Sequence, residues 1–138
     1  MQTDPVKELF VHTDRKTQLV DVTEKVRAAV AGGRGSVATI FVPHTTAGVV
    51  LQAAGDGARE VAADLETALE QIVDEAWSWR HVQEGDRNPW SHVRAALTAS
   101  SVSIPLVGGE LALGDLQHVF LCECDGPRER RMLVAVAG

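Results

Sequence analysis

Apolar residues along this chain fall into short β-branched runs towards both ends and into one helical stripe in the middle. Residues 6–12 (VKELFVH) and the shorter Leu19-Val20-Asp21-Val22 read as strands. Thr23 is placed to cap a helix over about 24–31, which Gly32-Gly33 would stop. Ser36 to Val42 and Gly48 to Gln52 have the composition of buried strands. Between them a polar triplet, His44-Thr45-Thr46, interrupts the stretch FVPHTTAGVVLQ. The clearest helix follows: Val61, Leu65, Ala68, Leu69 and Ile72 recur at helical spacing, with Arg59, Glu60, Glu66 and Glu70 available for the wet face. That periodicity is lost over 77–89 (WSWRHVQEGDRNP), a polar loop with aromatic anchors. Asn88 and Pro89 then supply an N-cap and a first-turn proline for a helix over about 89–98.

The last third reads as strands alone. Ser101 to Val107 is followed by a Gly108-Gly109 turn and a short strand from Glu110 to Leu113. Gln117 to Cys124 predicts a long strand, Asp125-Gly126 a turn, and Arg130 to Ala137 the closing strand. Strands first, helices in the middle and hairpins at the end predict an α+β fold. The expectation is a mostly antiparallel sheet or sandwich with two or three helices.

Composition narrows the class. With 138 residues, 45% of them hydrophobic, the chain is expected to be one domain, 1–138, with a core of its own. No apolar run reaches the roughly 18 residues of a membrane helix. The start, MQTDPVKELF, lacks the charged and apolar regions of a signal peptide, so a cytoplasmic location is expected. The formal net charge is −6, and basic residues are scattered except for Arg128, Arg130 and Arg131. Nucleic-acid binding depends on neutralising phosphates, so this balance argues against such a partner while leaving room for a local phosphate pocket. Cys122 and Cys124, two apart on a strand, share one face and are expected in the core; two cysteines in this spacing make a poor zinc motif.

Candidate chemistry centres on histidines. His12 and His118 lie in strand patterns without polar company. His44 follows Pro43 at a strand end, His81 sits in the irregular loop, and His92 lies in the first turn of a helix. Three different junctions can converge on one site, and three imidazoles with an open fourth position are a catalytic metal pattern. Asp56, just before a helix, is read either as a helix-terminus carboxylate or as a base or a partner that orients an imidazole. Asn88 is a cap or a site residue. Gln117, an amide entering an apolar strand, needs a partner at a site or subunit contact. Asp125-Gly126-Pro127-Arg128 reads most simply as a hairpin turn.

Taken in order, P-H-T-T-A, Asp56 before a helix, W-R-H, N-x-x-x-H, S-I-P-L, L-A-L-G-x-x-Q and D-G-P-R resemble the YjbQ-type family of secondary thiamine-phosphate synthase-like proteins. The resemblance runs from about Ile40 to the C-terminus, and more weakly over the N-terminal strands. It implies a homotrimer that binds a divalent metal, zinc or magnesium, through histidines matching His44, His81 and His92 near subunit boundaries. The implied reaction joins a hydroxymethylpyrimidine diphosphate to a thiazole phosphate, releasing pyrophosphate. Asp56, Asn88 and Gln117 would then be catalytic, while Thr45, Thr46, Ser100, Ser101 and Arg128 would hold phosphate oxygens. This chain departs from the family pattern at Gln52-Ala53, where an Asn-Glu pair is usual, at Leu116, where an aromatic is frequent, and near Ala99, where a glycine is. Two other readings use the same residues: a non-enzymatic trimeric metal- or anion-binding protein, and a metal-assisted phosphoester hydrolase.

Overall fold

All strand pairing among the described residues is antiparallel, and it sorts the strands into two sheets. The computed structural model describes residues 5–82 and 88–138. Its strands are β1 (Lys7–His12), β2 (Gln18–Asp21), β3 (Val37–Phe41), β4 (Ala47–Ala53), β5 (Ser101–Val107), β6 (Glu110–Leu111), β7 (Gln117–Glu123) and β8 (Glu129–Ala137). The helices are α1 (Thr23–Val30), α2 (Val61–Ile72) and α3 (Pro89–Ala96). One sheet has the order β1-β8-β3-β5-β6 and the other β2-β7-β4. The fold is therefore α+β and forms one compact domain, as the sequence of elements predicts.

β7 shows why the layers stack as they do. Val119, Leu121 and Glu123 point to one face; Phe120 and Cys122 point to the other, where Cys124 just beyond the strand joins them, and all are buried. Val119 and Leu121 join Ile40, Val49, Met132 and Val134 in the main core, to which α1 contributes Val26 and Val30, and the residue before the helix Val22. Phe120, Cys122 and Cys124 pack on the other side with Leu65 and Leu69 of α2 and Ala95 of α3. Both thiols are free and buried, as their spacing predicts. Burying each large aliphatic side chain of such a core contributes about 1.5–3 kcal/mol.

Several expectations are corrected by the structure. Thr23 is the first residue of α1 rather than its cap; its N–H and hydroxyl both donate to Asp21, and its oxygen accepts the Val119 N–H. Glu66, expected on the wet face of α2, is 8% exposed and accepts from Leu19 N and both terminal nitrogens of Arg15. Ile72, expected on the apolar stripe, is 62% exposed. β6 stops at Leu111 and α3 at Ala96, both shorter than the pattern suggests. The predicted polar loop over 77–89 is described only to Val82 and from Asn88; its remainder lies outside the described residues.

Candidate functional site

β3 and β4 belong to different sheets, and the chain between them carries His44. Phe41 pairs with Leu133 on β8 and with Ser101 on β5, while Val42 N donates to Ser100 O at 2.8 Å. His44 therefore lies at the end of the larger sheet, beside the starts of β5 and β8. Its Nε2 accepts the backbone N–H of Arg131 at 3.0 Å. Burial, followed by the charge of Arg130, pushes the His44 pKa below its usual value, against the opposing effects of Glu123 and the Arg131 contact, so the neutral ring is favoured.

Beneath this histidine lies a buried charge network. Arg130 reaches both oxygens of Glu123, with Nε to Oε2 at 2.7 Å, and donates to the Thr46 hydroxyl at 2.8 Å and the Thr46 carbonyl at 3.1 Å. Glu123 also accepts from the Thr13 hydroxyl and from the Asp125 N–H, each at 2.9 Å. Thr46 is thus turned inward and buried, whereas Thr45 is exposed at the surface. Ser100 and Ser101 are also exposed, at the same end of the sheet.

His81 and His92 meet elsewhere. Their rings stand edge-on with centroids 5.2 Å apart. They line an open cleft of about 540 Å³ with Ser78, Trp79, Arg80, Pro89 and Val93. Trp79 stacks on Trp77 at 5.4 Å and donates its indole N–H to Glu75 O. His92 owes its position to the start of α3, and that start is tied down by Asn88. The Asn88 side chain makes no cap bond to its helix; its amide donates to Asp125 Oδ1, while Arg128 donates to Asp125 Oδ2 at 2.8 Å and to Asp125 O at 2.9 Å. The D-G-P-R segment is not the expected hairpin turn: β7 and β8 lie in different sheets, so it crosses from one to the other, and through Asp125 it anchors the helix bearing His92.

The remaining candidates are satisfied locally. Asp56 is 93% exposed at its side chain and pairs with Arg59 at 2.7 Å. Gln117 is exposed and accepts the Gly114 N–H at 3.0 Å, so a turn provides the partner its position demands. His118, expected without polar company, has Nδ1 2.7 Å from Asp21 Oδ2. The exposed pair His12 and Asp14 is looser, at 3.8 Å.

The donor set can be compared with what a divalent metal requires. Among the described residues no three His, Cys, Asp or Glu side chains group to hold an ion. The chain brings His81 together with His92 and leaves His44 with its Nε2 lone pair engaged by Arg131. Zinc sites use at least three protein ligands, so the described residues of a single chain fall short by at least one.

Sequence reasoning overlooked Thr13, Glu123, Asp125 and Arg130, which hold both histidine regions in place. A signal was present: Glu123 interrupts the apolar run VFLCECDG, and a carboxylate there needs a buried cation. Arg130 in RERRMLV is the cation, but nothing in the spacing distinguishes it from Arg128 or Arg131.

Comparison with known proteins agrees with this architecture over nearly the whole chain. The family model described as UPF0047 protein YjbQ-like matches residues 7–138. A UPF0047 protein of Methanothermobacter thermautotrophicus is 34% identical over 134 residues, covering 96% of this chain and 91% of that one. The UPF0047 protein YugU of Bacillus subtilis is 30% identical over 139 residues, covering 96% and 99%. Among solved structures, a hypothetical protein from Aeropyrum pernix superposes with a TM-score of 0.88 at 30% identity, covering 98% of this chain and 100% of that one. An uncharacterized conserved YjbQ/UPF0047 protein from Clostridium acetobutylicum gives a TM-score of 0.85 at 33% identity, covering 94% and 98%. The chain belongs to the YjbQ/UPF0047 family.

Proposed function

We propose that this protein is a transferase of small phosphorylated metabolites, of the secondary thiamine-phosphate synthase type, joining a pyrimidine diphosphate to a thiazole phosphate. The observation that carries the reading is the edge-on pair His81 and His92 in a cleft with Trp79 and Arg80. Its volume, about 540 Å³, lies in the range of small-molecule sites, about 300–1,000 Å³. An aromatic wall suits a flat heterocycle, and an arginine suits phosphate oxygens. Expulsion of pyrophosphate requires its growing negative charge to be neutralised as the carbon–oxygen bond breaks.

His81 and His92 are also the proposed protein ligands of a divalent metal, which would supply Lewis-acid stabilisation of that charge. Imidazole donors favour zinc over magnesium. Further ligands would come from outside the described residues of one chain, and the proposed homotrimer offers a source for them.

Single substitutions His81→Ala and His92→Ala test the reading. Coupling of the two phosphorylated substrates should fall at least about a hundredfold, within the range for losing a positioned catalytic group, and zinc content should fall with it. A full rate in His92→Ala would sink the proposal. One observation favours the non-enzymatic anion-binding alternative: Ala53 offers no carboxylate and Asp56 is solvated beside Arg59. Pyrophosphate binding without turnover, in protein loaded with metal, would select it.

A further inference from the structure

We propose that His44 is a neutral hydrogen-bond donor that presents Nδ1–H to a phosphate oxygen at a subsite of its own, apart from the His81–His92 cleft, and is not a metal ligand. This deepens the reading above and rests on it for the identity of the anion. The assignment of donor and acceptor rests on geometry alone. Arg131 N is a backbone amide, which can only donate, and it points at Nε2 from 3.0 Å. A ring nitrogen that accepts a hydrogen bond carries no proton, so the proton of the neutral ring is on Nδ1. A metal on Nε2 would have to displace the Arg131 N–H, and a metal on Nδ1 would require that proton to leave. Neither is needed for a donor.

That proton is open to solvent. Among the described residues Nδ1 makes no hydrogen bond, and it is not one of the buried unpartnered polar atoms, so it reaches the surface. The exposed donors at this end of the sheet are hydroxyls and a guanidinium. Thr45 is exposed next in the chain, Ser100 and Ser101 are exposed across the end of the sheet, and the Arg131 guanidinium is half exposed, 3.7 Å from Glu8. Of the acids here, Glu123 is committed to Arg130 and fully buried, and Glu8 faces the Arg131 guanidinium. Arg130 itself, held on Glu123 and Thr46, fixes a positive charge behind the ring without spending it at the surface. A phosphate oxygen meets hydroxyl and guanidinium donors here.

Two measurements test this in the intact protein. Ring nitrogen-15 spectra of the unaltered protein should show His44 protonated on Nδ1, with shifts that do not move when zinc is added. Pyrophosphate is the second probe. His44→Asn places an amide donor near the Nδ1 position and should bind it within about threefold of the unaltered protein. His44→Gln restores the acceptor for Arg131 but not the donor, and should bind at least about tenfold more weakly, the worth of one charge-assisted hydrogen bond. An Nε2-protonated ring, or a zinc-induced shift of either ring nitrogen, would overturn the assignment even where pyrophosphate binds. So would His44→Gln binding as well as His44→Asn. Failure of the unaltered protein to bind pyrophosphate would instead remove the phosphate reading, and with it the anion named here, whatever the tautomer.

Discussion

Glu123 is fully buried, and its carboxylate is surrounded by Arg130, the Thr13 hydroxyl and the Asp125 N–H. Burial alone would raise its pKa; the Arg130 hydrogen bond, the Asp125 N–H, the Arg130 charge and the Thr13 hydroxyl outweigh burial and hold it below the ordinary value of 4.5. A carboxyl whose pKa is lower in the folded than in the unfolded chain stabilises the fold above the unfolded value. That contribution is lost as pH falls through the folded value. Glu123→Gln should therefore flatten the acid limb of a stability–pH profile below about 4.5. At neutral pH it should cost about 3–5 kcal/mol, because Arg130 is left buried without its counter-charge. Thermal melts across a pH series would read both effects, and an unchanged acid limb would refute the first.

At the scale of elements, Gly48 is where two strands and a loop approach too closely for a side chain. A Cβ there would sit 1.9 Å from the Thr98 hydroxyl and 2.8 Å from Ala99 O, while the adjacent Val49 N–H donates to that same carbonyl at 2.8 Å. Gly48→Ala should cost about 1–3 kcal/mol, as overpacking does, and should shift the amide resonances of Ser100 and Ser101 more than those of β1. Strand positions such as Ser101–Val107 were legible because a buried strand must be apolar or alternating in its own residues. The same logic exposed His44 and His92, polar residues at element ends. It failed where satisfaction comes from far away in sequence: Glu66 answers to Leu19 and Arg15, and Asn88 answers to Asp125. Periodicity describes an element's own faces, and in these cases a partner decided what the face would hold.

On the whole-molecule scale, the larger sheet keeps one face for the core and leaves the other partly apolar. Phe10 and Phe41 are 55% and 41% exposed, and they flank Arg131 and Leu133 of β8 on that outer face. Contiguous apolar patches mark protein–protein contacts, and the proposed three-copy assembly is expected to cover these two rings. Phe41→Asp should convert the assembly to smaller species in light scattering; a protein that already runs as a single chain would refute the assembly itself. No described helix is long and apolar enough to cross a membrane. The turn between β7 and β8 has a consequence for the molecule's tolerance of change. Residues 124–128 carry the chain from one sheet to the other, and they also fasten Asn88 through Asp125 and Glu123 through the Asp125 N–H. A residue inserted there would displace the ends of α3 and β8 together, and with them His92 and the amide that holds His44. An insertion at Gly108-Gly109, which open space surrounds, would reach neither. Of these two connections in the final third, the hairpin can vary in length without touching the histidines, and the crossover is a strut.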